Sequence, residues 1–201
     1  MVKADTDKVE EHKASLAVWD LPSPIVIGRS ARMKVGAKCS ADCRLTNHEI
    51  EIQDEHGGRT ARATLGGEPW PGTTGLYWAE VEFAAPAATG THTWTVKSPH
   101  GDALSSFTFI AVPPPDHTLT IRIREKGTQA LLSEAEVRCG VYRATSDDKG
   151  LAQIDLPKGT YEFSVWKLGY EHFSTAVNIT DNQTVDVEIP VEPEVEQPYW
   201  M

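Results

Sequence analysis

The sequence predicts an all-β fold of two tandem β-sandwich domains, and three observations carry the prediction. Apolar residues recur with a period of two over short runs, and no helical period is sustained. Glycine, proline, asparagine and aspartate punctuate those runs at the spacing of turns. A Pro113-Pro114-Pro115-Asp116 spacer separates two such series, and a polyproline-type segment of this kind is stiff.

The pattern is clearest over residues 146–170. Leu151, Gln153 and Asp155 face one way and Ala152, Ile154 and Leu156 the other. Pro157-Lys158-Gly159 then supplies a turn before Tyr161, Phe163 and Val165 resume the alternation. This is a strand, a tight turn and a strand.

The remaining elements follow in chain order. Residues 1–14 are charged and lack apolar periodicity, which predicts a tail. Leu16-Ala17-Val18-Trp19 reads as an edge strand, stopped by Pro22 and Pro24 and restarted at Ile25-Val26-Ile27. Ala31, Met33, Val35 and Ala37 alternate with Arg32, Lys34, Gly36 and Lys38, the signature of a half-buried strand. Ile50 and Ile52 alternate with glutamates and Gln53, and residues 54–58 close a hairpin into residues 59–65. Residues 66–74 form a Gly/Pro loop that carries Trp70 between two prolines. Strands are expected over 75–83, 91–97 and 104–112, the last two joined at 98–102.

This density of short strands in residues 15–112 indicates an immunoglobulin-like sandwich, without the Cys…Trp…Cys arrangement of the antibody type. The second domain is expected over 117–190, from a strand bearing Leu119, Ile121 and Ile123 to one bearing Val185, Val187 and Ile189. Residues 113–116 are the linker. Residues 191–201 form an acidic, proline-spaced tail ending in Tyr199-Trp200-Met201, a composition that cannot fold alone.

The second domain resembles the carboxypeptidase regulatory-like family, relatives of transthyretin-like and Cna-B-like modules. The resemblance rests on Gly127, Ala135-Glu136-Val137, Ser146-Asp147-Asp148-Lys149-Gly150, Leu156-Pro157-Lys158-Gly159-Thr160-Tyr161 and Gly169-Tyr170. Ala130 departs from it, where the family often has proline. These are turn and core positions, so the resemblance implies a fold and a role in interaction and transfers no catalytic residue.

Composition narrows the function classes. The net charge is −10 and no basic segment stands out, which disfavours non-specific nucleic-acid binding. No apolar run approaches the roughly 20 residues that span a bilayer. The first residues, MVKADTDKVEEHK, lack the hydrophobic stretch of a signal peptide, and on that ground the chain is expected in the cytoplasm. Three cysteines, Cys39, Cys43 and Cys139, make an odd count that does not suit a disulfide framework, although Cys39 and Cys43 bracket a turn and a local disulfide is conceivable.

Each candidate site has a bland counterpart. Cys39, Cys43, His48 and His56 offer donor atoms of the zinc type, but Cys-x3-Cys with a histidine five residues on matches no familiar finger, and the counter-reading is turn thiols and solvated histidines. No Gly-x-Ser-x-Gly elbow or papain-like cysteine context exists, so catalysis is not expected. Asp147 and Asp148 beside Gly150 are explained by turn formation rather than calcium. Of six tryptophans, Trp19, Trp78, Trp94 and Trp166 sit in strand patterns and are read as core or half-core. Trp70 and the Tyr199, Trp200, Met201 terminus are the partner-binding candidates, with a loop that folds Trp70 back on its own domain as the alternative.

The expected function is that of a non-catalytic structural or accessory subunit, without a cofactor, binding a protein partner or assembling with itself through sheet edges, Trp70 and the tail. Two other classes are weighed against it: a carbohydrate-binding module with Trp70 as stacking platform, and a thiol redox or metal sensor at Cys39 and Cys43.

Overall fold

The computed structural model describes residues 12–98 and 103–193, so the expected joint at 99–102 and the Tyr199-Trp200-Met201 terminus lie outside the described residues. The chain divides into two compact units after Val112. Each is a β-sandwich, and no helix occurs among the described residues.

The first unit contains β1 (Ala14–Trp19), β2 (Ile25–Val26), β3 (Ser30–Cys39), β4 (Glu49–Gln53), β5 (Arg59–Thr64), β6 (Tyr77–Ala84), β7 (Gly90–Lys97) and β8 (Leu104–Val112). They form a sheet of order β1-β3-β6 and a sheet of order β2-β8-β7-β4-β5. All pairings are antiparallel except that β2 runs parallel to β8. The period of two decides the core: Met33 and Val35 of one sheet and Ile50, Ile52, Trp94, Val96 and Phe109 of the other are buried within one cluster. Cys39 extends the inward row of β3 and is itself buried.

A polar clasp is fitted to this core. The Trp94 indole Nε1 donates to Glu55 Oε2 at 2.9 Å, and His92 Nδ1 lies 3.1 Å from Glu55 Oε1. Glu55 stands in the β4–β5 turn, so the hydrogen bonds tie that turn to β7. Its own backbone amide first, then the His92 and Trp94 side chains, hold the Glu55 carboxyl below the ordinary carboxylate range, with burial pushing the other way. Ser30 and then Arg32 lower Glu82 likewise, and Arg138 lowers Glu136.

A carboxyl whose folded pKa is depressed contributes stability that is present above its unfolded value, about 4.3, and is lost as pH falls through the folded value beneath it. Melting temperature is therefore expected to fall on the acid side of that value, and the fall is shallower in Glu55→Gln, which cannot titrate there. Thermal melts across a descending pH series check this. Parallel slopes for the two proteins would remove Glu55 as a cause.

The second unit contains β9 (His117–Glu125), β10 (Glu136–Cys139), β11 (Tyr142–Thr145), β12 (Leu151–Leu156), β13 (Gly159–Trp166), β14 (Phe173–Ile179) and β15 (Gln183–Ile189). Its sheets have the orders β11-β10-β13-β14 and β12-β9-β15, with β15 parallel to β9. Leu119, Ile121, Ile123, Val137, Cys139, Phe163, Val165, Ile179 and Ile189 fill the space between them. Burial pushes the Cys139 thiol up to about 11, which makes it an inert core residue.

The turn at residues 146–150 is closed by Asp147, whose Oδ1 accepts the amides of Lys149 and Leu151, both at 2.9 Å. Asp116 is anchored to this unit by two hydrogen bonds: its amide donates to the Leu156 carbonyl at 3.1 Å and its carboxylate accepts the Lys158 amide at 3.0 Å.

Candidate functional site

Among the described residues, one sheet edge of the second unit carries no device that would blunt it. β14 has the sequence FSTAVNI and ends its sheet, pairing with β13 over seven residues, from Val165↔Phe173 to Gly159↔Ile179, without a register shift. Natural edge strands are usually blunted by charge, proline, a bulge or a cover. β14 has no charged residue and no proline. The other edges differ: β5 carries Arg59 and Arg62, β6 carries Glu80 and Glu82, β11 carries Arg143, β12 carries Asp155, β15 carries Asp186 and Glu188, and β2 is only two residues long. β1 is also uncharged, but it packs against β7 and β8.

Two large apolar side chains are exposed at the end of β13 and in the turn that follows it. Trp166 is 51% exposed and Leu168 is 83% exposed. Trp166 shares a shallow depression with Glu136, Arg138, Ser164 and His172. This corrects the core or half-core reading of Trp166. Phe163 and Val165 take the inward positions of β13, so the same period of two turns Trp166 outward.

Trp70 lies elsewhere, on the outer face of the β1-β3-β6 sheet. Its ring meets Trp19 and Trp78 edge-on, with centroids 5.2 and 4.9 Å apart, and Lys34 Nζ sits 5.0 Å from its centroid. Gly36 makes room for this group, because a Cβ there would lie 3.1 Å from the Trp19 ring and from Leu76. The loop is closed over it by Trp70 N–H to the Leu76 carbonyl at 2.7 Å and by Thr73 Oγ1 to the Trp70 carbonyl at 2.7 Å. Trp70 is thus half-buried in a clasp of three tryptophans. The flat, solvent-facing platform that sugar stacking needs is not formed by it.

The four residues proposed as thiol and imidazole ligands separate. Cys39 and Cys43 are free thiols that come together at the end of β3, and His48 lines the same cavity. His56 stays in the β4–β5 turn, where its amide donates to Asp54 Oδ1 at 2.9 Å. His12, which the sequence reading assigns to the tail, joins the thiols instead: its Nδ1 is 3.1 Å from Cys43 Sγ. The Ala41 amide, followed by hydrogen bonds from the Cys43 side chain and amide, holds the Cys39 thiol below its ordinary value. Only knowledge of the β1–β3 register would have brought His12 into the set, since Ala14 pairs with Cys39.

No family model matches the chain, and no curated protein matches it in sequence. Among solved structures it is similar to the BSP domain of a biofilm-associated protein, at 15% identity over 82% of this chain and 30% of that one, with a TM-score of 0.29. It is also similar to the S-layer protein rSbsC, at 16% identity over 85% and 26% of the two chains, with a TM-score of 0.35. The full-length major pilin SpaD from Corynebacterium diphtheriae gives 12% identity over 92% and 66%, with a TM-score of 0.32. The chain thus spans less than a third of the first two structures.

The expected cytoplasmic location is corrected: the solved structures similar to the chain are a biofilm-associated protein, an S-layer protein and a pilin, and they give it no support. That expectation rests on the first residues alone, and where a sequence begins carries no information on the location of the protein.

Proposed function

We propose that the chain is a non-catalytic interaction module of a larger assembly, which holds a partner protein by adding one of its strands to β14. The bare edge is the observation that supports this reading. An added strand satisfies the outward amides and carbonyls of β14, so main-chain hydrogen bonds supply the affinity and side-chain contacts the choice of partner. Tyr199, Trp200 and Met201 would extend the contact as aromatic anchors, and Trp70 would contribute from the first unit through the part of its ring left in solvent. The second unit is read as a carboxypeptidase regulatory-like sandwich, on the strength of the Leu156–Tyr161 hairpin and the turn at Gly150. The domain limits 15–112 and 117–190, with 113–116 as linker, belong to the same proposal.

The test is Ala176→Lys. Ala176 is exposed and pairs with Glu162 across the β13–β14 ladder, so a lysine there finds an opposite charge within the fold. Folding stability is expected to change by no more than about 0.5 kcal/mol. Both proteins are used for capture from the native host, and amide exchange is followed at residues 173–179 in the captured complex. The expected result is a stoichiometric chain that protects those amides and is lost with the variant. Equal capture by both proteins, or unprotected β14 amides in the complex, would sink the edge as the docking element.

A further inference from the structure

The cluster at the end of β3 is built from two directions. The N-terminal segment is held beside the β3–β4 loop by a two-way link, in which the Ser40 amide donates to the Lys13 carbonyl at 2.9 Å and the Lys13 amide donates to Ser40 Oγ at 3.0 Å. That link carries His12 to the thiols. The left-handed residue Asp42, at φ +51°, turns the chain so that Cys43 comes back over Cys39. As a result, one ligand atom each from His12, Cys39 and Cys43 lies within 4.8 Å of the other two.

Those spacings are close to what a metal ion requires. With Zn–S of about 2.3 Å and Zn–N of about 2.0–2.1 Å, ligand atoms around a tetrahedral ion lie about 3.5–3.8 Å apart. The His12–Cys43 spacing of 3.1 Å lies just under that range and all three spacings are within 4.8 Å, so small side-chain adjustments accommodate an ion. The donor set of two sulfurs and one imidazole is of the soft to borderline kind that selects zinc over magnesium or calcium.

We propose that His12, Cys39 and Cys43 form a binding site for a zinc-type divalent ion, with its fourth coordination position facing the adjacent cavity. This cavity has a volume of about 200 Å³ and is lined further by Leu45, His48 and Glu49. Binding replaces two S–H bonds by two metal–sulfur bonds and releases two protons to solvent, and the two thiolates neutralise the ion's charge. His48 supports the site from the cavity side. Its Nδ1 is 3.3 Å from the Thr46 carbonyl, which fixes the ring at the wall of the cavity. The ion ties the segment before β1 to the β3–β4 loop, and an exogenous ligand completes the shell.

Cobalt(II) is the probe, added to the reduced full-length chain and then displaced by zinc. One ion per chain is expected, with thiolate-to-cobalt charge-transfer absorption and the visible bands of a tetrahedral site, both abolished by zinc. His12 is exposed and Cys43 half-buried, so His12→Ala and Cys43→Ser keep the fold, as thermal melts verify. Each is expected to weaken cobalt binding by at least about tenfold, because even residues outside the ligand shell are worth 10–100-fold. His56→Ala leaves affinity and spectrum unchanged. Absence of the charge-transfer band, or a His12→Ala protein that binds cobalt as the parent does, overturns the assignment. So does mild oxidation that joins Cys39 to Cys43 in a chain that takes up no cobalt when reduced, which would make the pair a redox element.

Discussion

Trp94→Ala is expected to destabilise the first unit by ~3–5 kcal/mol, the range for removing a buried aromatic ring. Trp94 is 2% exposed and touches three aromatic rings, with centroids 5.4 Å from Phe83, 5.1 Å from Phe109 and 6.5 Å from Phe107. Those rings come from β6 and β8, on both sides of the sandwich, so they cannot all collapse into the vacated volume. The residual cavity adds its own term to the lost transfer free energy. Glu55 loses its indole donor as well, which loosens the β4–β5 turn. A loss of this size matters when a domain's whole stability is about 5–15 kcal/mol. Trp94→Phe is the companion variant: it keeps most of the ring packing, removes the N–H, and is expected to cost clearly less. Chemical denaturation of the three proteins measures both. A Trp94→Ala loss below about 1 kcal/mol would mean that the aromatic cluster does not hold the two sheets together.

Gly150→Ala is expected to cost at least the ~1–3 kcal/mol that a non-glycine residue pays in a sparsely populated conformation. Gly150 has φ +68°, and a Cβ there would lie 2.6 Å from the Ile123 carbonyl oxygen and 3.2 Å from the Leu132 amide nitrogen. Both are backbone atoms, joined to each other by the Leu132 N–H to Ile123 carbonyl bond of 3.1 Å, and neither can swing away as a side chain can. The Gly150 carbonyl also accepts the Ile123 amide at 2.8 Å, so relieving the clash weakens that bond. Gly57 separates the two contributions. It too has positive φ, +79°, but nothing lies within 4 Å of its Cβ position. Gly57→Ala should cost only the conformational term, roughly 1–2 kcal/mol. Equal losses in the two variants would show that the close approach at Gly150 contributes nothing.

The candidate site was less legible than the fold, and two elements show why. β14 is exposed at Ser174, Thr175, Ala176 and Asn178, and only Ile179 is buried. A strand of this kind lacks the alternation that marks β12 and β13, and the sequence reading passes over it for that reason. The property that makes it a docking edge also hides it. The thiol cluster shows a second limit. Cys39 and Cys43 are near neighbours in sequence, and their proximity follows from a turn. His12 lies 31 residues from Cys43, and nothing in its own neighbourhood points to the thiols.

By itself the sequence determined the all-β class, most of the strands and which of their faces turn inward. These are local properties, set by side-chain alternation and by the turn chemistry of glycine, proline and aspartate. The tertiary structure alone decided that Trp70 closes on Trp19 and Trp78 over Gly36, that β14 ends its sheet, and that His12 meets two thiols. Each of these depends on strand order and register, which pair residues far apart in sequence. A register changes sides with every single-residue slip, so it is chosen by the packing of the whole sheet rather than by any short stretch of chain.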